Sequence, residues 1–328
     1  MPEKCIEYFA SRNGFDGFTS YFNNVFAPER YTKVFILKGG PGTGKSTLMK
    51  KLHSAFNDFC DSIECIRCSS DINSYDGLIL EKNDRKIAVL DGTAPHMTDP
   101  TLPVVCEETI NLEVAIRERD LLLYRNTLEE LYKAKKNEYQ LAYHFLLVCG
   151  ELSRNYSAVS PAIDNDEEKS NLFYLLDRIP YSMQGESNIR LYTSFGKDGF
   201  CQLTNTSSNT DETLIFNRKS REAEFLLSQI KKYGLGTNYI VNCFDGEIDA
   251  LEIPTLGISV LFSEKRTVEA SLLSIYSEAM EISKKHFITA SNHHFEMERI
   301  YSEALNFSIL NDIFSSLEEK AKVLLSIS

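Results

Sequence analysis

The sequence has no apolar run approaching the roughly 18 residues that a membrane-spanning helix needs, so no segment reads as a bilayer span. It is also poor in positive charge. Lysine and arginine number 35 against 47 aspartates and glutamates, a formal charge of −12, and no local basic patch offsets the excess. A surface this acidic repels phosphate backbones and anionic lipid, which argues against nucleic acid and membrane partners. The first residues, MPEKCIEYFASRNGF, lack the apolar centre of a secretory signal. A cytoplasmic protein is the expectation.

Zinc-type cysteine spacing is incomplete as well. Of eight cysteines only Cys65 and Cys68 form a C-x-x-C, and no second pair or histidine pair completes a ligand set. Reduced thiols used as small packing residues are the expected state. What is present in quantity is ordinary: 43% hydrophobic and 25% charged residues over 328 positions, enough for two globular domains.

An internal repeat organises the chain. Gly14-Phe15-Asp16-Gly17-Phe18 returns as Gly196-Lys197-Asp198-Gly199-Phe200. After each copy come a short apolar strand (KVFIL from Lys33, TLIF from Thr213) and an amphipathic helix. A second strand ending in Cys and acidic residues follows, then a third strand (KIAVLD from Lys86, GISVLF from Gly257). Both halves close in long helical sequence, about 109–157 and 267–307. Strands alternating with helices predict an α/β fold with mainly parallel sheets, a long helical insertion and a second, similar α/β unit. The expected division is 1–187 and 188–328, with the boundary near Gln184–Asn188. Val114, Leu121 and Leu128, with Tyr124 and Leu131, make a stripe expected to pack against another long helix, within the chain or in a partner or second copy.

The strand KVFIL runs into KGGPGTGKST and then LMKKLHSAF. Gly39, Gly40, Pro41, Gly42, Thr43, Gly44, Lys45, Ser46 and Thr47 satisfy G-x-x-x-x-G-K-[ST] in the strand–loop–helix context that the motif requires. Glycines let successive amides close around an anion at the positive end of a helix, forming a phosphate nest. Lys45 is placed for β- and γ-phosphates, the Ser46 hydroxyl for Mg²⁺ and Thr47 for the α-phosphate side. The apolar run KIAVLD delivers Asp91 to the strand end, where a carboxylate can hold the magnesium shell. The expected ligand is a nucleoside triphosphate, ATP with Mg²⁺, because no N-K-x-D guanine motif is present. Asp91 is followed by Gly92, so the usual water-polarising Glu is missing. Candidates for that role are Asp71 and Asp76, read as loop residues of SSDINSYDG, and His96 in the loop after Asp91.

The second half has lost these features. With the helices aligned through Leu48 and Leu226, Lys45 falls opposite Ala223, Gly44 opposite Glu222 and Asp91 opposite Phe262. NRKSREAEF contains no glycine, so a degenerate P-loop unit without nucleotide is expected, with Arg218, Lys219, Arg221 and Arg266 available as cations.

On ILKGGPGTGKSTLMKKL, CSSDINSYDG and AVLDGTAPH the chain resembles a family of tandem P-loop proteins from bacteria, described as ATPases or nucleotide kinase-like proteins of unknown substrate. The resemblance covers nearly the whole chain and implies a P-loop NTPase fold, triphosphate binding by Gly39 to Thr47 and a magnesium role for Asp91. The second half departs from it. Hydrolysis of ATP is the leading expectation. Two alternatives stand beside it: a small-molecule kinase whose loop Thr93–Val105 holds the acceptor, and a non-catalytic nucleotide switch.

Overall fold

The computed structural model describes residues 5–155, 166–179, 185–204, 206, 210–263 and 268–326. Gln184, Arg266 and the helix-end residues 156, 157 and 267 lie outside them.

The first half begins with β1 (Cys5–Phe9), the hairpin β2 (Ser11–Gly14) and β3 (Gly17–Ser20), and a single turn α1 (Phe22–Val25). Then come β4 (Lys33–Lys38), α2 (Lys45–Phe56), β5 (Ser62–Arg67), β6 (Tyr75–Lys82), β7 (Arg85–Asp91) and β8 (Glu107–Asn111). Helices α3 (Glu118–Leu122), α4 (Arg125–Asn155) and α5 (Asp166–Arg178) follow. The second half repeats the plan: β9 (Asn188–Arg190), the hairpin β10 (Thr193–Gly196) and β11 (Gly199–Gln202), β12 (Glu212–Asn217), α6 (Arg221–Tyr233), β13 (Asn238–Val241), β14 (Ile248–Ile253) and β15 (Ile258–Ser263). It ends in α7 (Leu273–Glu303) and α8 (Phe307–Ser326).

Both halves build the same sheet. The first runs β1-β5-β6-β7-β4-β8 and the second β9-β13-β14-β15-β12. Strand by strand the directions agree: parallel, antiparallel, antiparallel, parallel, with β8 added in parallel at the far edge of the first. The chain is therefore α/β with parallel pairing prevailing in the first sheet. The second sheet divides evenly between parallel and antiparallel, which corrects the expectation for that half. The cause is β6 and β14, which the sequence reading passed over. Asn83 and Asp84 both take positive φ, so β6 folds straight back into β7 through a two-residue turn.

Side-chain alternation places β4 in the middle of its layer. Phe35 and Leu37 face one apolar cluster with Leu48, Leu52 and Phe56 of α2, while Val34 and Ile36 face the other. The clusters do not follow chain order. Leu310, Phe314, Leu317 and Leu325 of α8, the last helix of the chain, complete the core of the first sheet. Leu172 and Leu175 of α5, from the first half, complete that of the second beside Leu226 and Ile230 of α6. Each half thus lends its last helix to the other.

The expected stripe is only partly helical. Val114 sits in a 3-10 turn and is exposed, and residues 107–111 form β8 rather than helix. From Lys135 onward α4 packs on α7 of the same chain. Contacts descend on one helix as they rise on the other: Lys135 with His294, Glu138 with His286, Ala142 with Ser283, Cys149 with Tyr276. Among the described residues no helix is long and apolar enough to cross a membrane.

Candidate functional site

β4 and β7 are parallel neighbours, and Leu37 pairs with Asp91 in register. Their C-terminal ends therefore open on one edge of the sheet, the place where ligands sit in such folds. Residues 39–44 leave β4, and Gly44 caps α2 with φ 90°, a left-handed conformation that the following Lys45 does not need to share. Gly42 also takes positive φ, at 71°. Thr43, fully buried, holds the loop closed by donating to the Gly40 carbonyl at 2.8 Å.

Lys45 Nζ folds back on the loop, donating to Gly39 O and, at 3.1 Å, to Gly40 O. It lies 3.7 Å from Asp91 Oδ2. Ser46 Oγ accepts the Tyr75 amide at 2.9 Å, which ties the helix start to the start of β6. Thr47 is exposed. Asp91 Oδ1 accepts from both the amide and the hydroxyl of Thr93, at 2.9 and 2.5 Å. Burial raises the Asp91 pKa; Lys45 opposes the rise and Asp76 adds to it.

Asp76 is not a loop residue, as first read, but stands at the second position of β6 and is buried. The Tyr-Asp-Gly sequence looks like a turn, yet the apolar run GLIL that follows extends the strand back over it. His96 Nε2 is 3.3 Å from Asp76 Oδ2 without the alignment of a hydrogen bond, and that oxygen has no hydrogen bond among the described residues. The imidazole itself is fixed: stacked on Phe22 at 4.0 Å, edge-on to Phe18, with Nδ1 3.4 Å from Ser20 Oγ. His96 thus packs beside Asp76 through its ring contacts rather than through a hydrogen bond to it. Asp71 stays in the loop, accepts the Asn73 amide and pairs with Lys197 at 3.3 Å.

Lys197 is a residue that the sequence reading missed, and the signal was there: it is the one position at which the two repeated pentads differ. Lys135 and His294, which also approach the loop, carry no local signal, because only the register of α4 on α7 brings them there. Their nitrogens are 3.4 Å apart. Burial, then Lys135 and Lys45, lower the His294 pKa to about 4, and burial lowers that of Lys135. Glu298 of α7 lies beside Gly42; burial, then Asp71, raise its pKa, and Lys45 and the Gly42 backbone oppose the rise. Helix α7 presses so closely that a Cβ on Gly42 would lie 2.3 Å from Glu298 O.

The divalent-ion expectation meets donors of the right kind. Ser46 and Asp91 present hard oxygens on one edge, and Asp76 Oδ2 is a buried carboxyl oxygen with unused lone pairs. A softer set lies behind α2: Cys65 Sγ sits 2.7 Å from Cys5 Sγ and 3.7 Å from His53 Nδ1, so Cys65 faces Cys5 and not its C-x-x-C neighbour Cys68.

At the matching place in the second half, residues 218–220 alone join β12 to α6. The Ser220 hydroxyl caps the helix by accepting the Ala223 amide, and Phe262 pairs with Phe216 where Asp91 pairs with Leu37. Arg218 is paired with Asp249. The chain matches no family model, and no curated protein or solved structure matches it either.

Proposed function

We propose that the chain is a P-loop nucleoside triphosphatase that binds ATP with Mg²⁺ in the single glycine-rich loop of its first half and hydrolyses it. One observation carries this reading: the loop turns its helix so that Lys45 and Asp91 meet at 3.7 Å beyond two neighbouring parallel strands. The loop amides and the α2 dipole favour an anion there. Lys45 would exchange its two loop carbonyls for phosphate oxygens, a stronger charge-assisted contact. Ser46 and Asp91 would hold the metal, which supplies charge neutralisation across the phosphates.

In hydrolysis a water oxygen bonds to the γ-phosphorus, the bond from that phosphorus to its bridging oxygen breaks, and ADP leaves. Asp76 would orient that water and accept its proton; in support, its carboxyl is buried and one oxygen lacks a hydrogen bond. His96, itself locked by two aromatic rings, packs beside it. Lacking a glutamate beside Asp91, the site is expected to turn over slowly.

A kinase reading is favoured by one feature. The loop after Asp91 exposes Met97, Leu102, Val104 and Val105, and Lys38 anchors it to the sheet through Asp99 at 2.9 Å. Such a loop could receive an acceptor. Phosphate release from Mg·ATP alone, compared between the native chain and Asp76→Asn, separates the readings. Hydrolysis predicts free phosphate without a second substrate and about 100-fold less from the variant. No phosphate from the native chain above background sinks the hydrolase reading.

A further inference from the structure

Two helices that contribute nothing to the sequence motif bring charge to its mouth. Lys135 comes from α4 and His294 from α7, and their nitrogens approach to 3.4 Å. On the other side of the ring, His294 Nε2 is 3.6 Å from Glu298 Oε1. Glu298 is also where α7 presses on the loop: a Cβ on Gly42 would lie 2.3 Å from its backbone carbonyl. Lys45 is close enough to act electrostatically on Lys135, on His294 and on Glu298 alike. Two helices thus present a pair of nitrogen donors beside the glycine loop, with a side-chain carboxylate 3.6 Å from one of them.

Building this arrangement for structure alone would be wasteful. Lys135 and Lys45 repel each other, and a protonated His294 would add a third positive charge. The cluster makes electrostatic sense around an anion with more charge than one carboxylate.

We propose that Lys135 and His294 bind the γ-phosphate of the nucleotide held by the P-loop, and that Glu298 is the anion that stands beside them until it arrives. The proposal rests on the triphosphate reading above and deepens it: the α4–α7 pair distinguishes a triphosphate from a diphosphate. An incoming γ-phosphate competes with the Glu298 carboxylate for His294. It also surrounds His294 with negative charge. Facing that imidazole are Lys135 from α4, Lys45 from α2, Glu298 on its own helix, and Asp71 and Asp76 from the loop and strand after β5. The two lysines keep it neutral, and a bound phosphate shifts the balance towards the protonated form. Binding of a triphosphate then takes up a proton, whereas binding of a diphosphate does not. Since α7 touches the loop through its backbone at Glu298, release of the side chain is felt along the helix pair.

The test is calorimetry on the full chain with Mg²⁺ and either ATPγS or ADP, in two buffers of different ionisation enthalpy at about pH 6. Variants are Lys135→Ala, Lys135→Arg and His294→Gln. Expected are a loss of roughly 10- to 100-fold in ATPγS affinity for Lys135→Ala, ADP affinity unchanged, and recovery in Lys135→Arg. Proton uptake should accompany ATPγS only and vanish in His294→Gln. Unchanged ADP binding also shows that the variant is folded. Equal weakening of both nucleotides, no weakening of either, or uptake that survives in His294→Gln overturns the proposal. If the native chain binds ATPγS and ADP equally tightly, this inference falls while the P-loop reading stands; if it binds neither, both fall.

Discussion

Lys197, in the turn of the second hairpin, lies 3.3 Å from Asp71 in the loop of the first half. The hairpins are exchanged: β10–β11 leans on the first half, where a Cβ on Gly196 would be 3.0 Å from the carbonyls of Ser69 and Ser70. The first hairpin leans on the second half in return, with the Phe15 amide bonded to Phe244 O and the two rings stacked at 5.1 Å. A cation therefore serves the half that kept its glycine loop, and an apolar stack fills the matching place beside the half that lost it.

The exchange sets up a double-mutant cycle. Lys197 and Asp71 are each largely shielded from solvent, so their pair is worth more than a free surface contact but less than a buried one. Unfolding of Lys197→Ala, Asp71→Ala and the double variant in urea should give a coupling of about 1 kcal/mol. Additive effects would mean that the two residues meet without interacting.

At Asp91 the sign of the pH effect is set by burial. Its folded pKa is raised, so the folded chain holds that proton more tightly than the unfolded chain. The contribution to stability is full below the ordinary carboxylate value and is lost as pH rises through the folded value. Above that value the buried charge costs stability, a cost that the proposed magnesium role would explain. Asp91→Asn should therefore unfold at higher urea than the native chain without ligand, yet bind Mg·ATP at least about tenfold more weakly. A variant that is less stable and binds normally would reverse both assignments.

His294 runs the other way. With its pKa lowered to about 4 against an ordinary value of 6.5, the unfolded chain binds the proton first as pH falls. Stability supplied by the neutral imidazole is present above 6.5 and is lost between there and about 4. Because the side chain is 37% exposed, solvent screening holds the effect to the order of 1 kcal/mol. His294→Gln should flatten the stability profile within that window and leave it unchanged at pH 8.

Much of the site could be read from the residues, and the reasons for the rest are physical. A glycine-rich loop between strand and helix is local: strand, glycines, Lys45 and helix lie within one short segment, and Asp91 ends the strand beside it. The repeat was legible for the same reason, since each copy of the pentad forms its own hairpin turn. Strand β6 was missed although Asn83-Asp84 between two apolar runs is a hairpin signal, because Tyr-Asp-Gly drew attention as a turn. Nothing local marks Lys135 or His294. Their place depends on which helix face meets which, a property of two segments far apart in the chain. The exchange of α5 and α8 is of the same kind, because chain order suggests that each helix covers its own sheet.

That exchange has a measurable consequence. Leu317 lies on α8, near the end of the chain, but is buried against the sheet that carries the P-loop. Leu317→Ala should cost about 2–4 kcal/mol of the first half's stability, read as earlier loss of the nucleotide-dependent transition on heating. If only the second half is weakened, α8 does not cap the first sheet in solution.

The central claim is that residues 39–47 with Asp91 hold a nucleoside triphosphate, and thermal unfolding of the native chain and of Lys45→Ala with Mg²⁺ and ATP tests it most directly. The Lys45 side chain is only 11% exposed but bonds loop carbonyls and lies outside the apolar cluster, so the midpoint of the variant without ATP serves as its own folded reference. The account predicts that ATP raises the midpoint of the native chain by several degrees at saturating concentration and leaves the variant where it was. An ATP shift of equal size in both, or in neither, would contradict it.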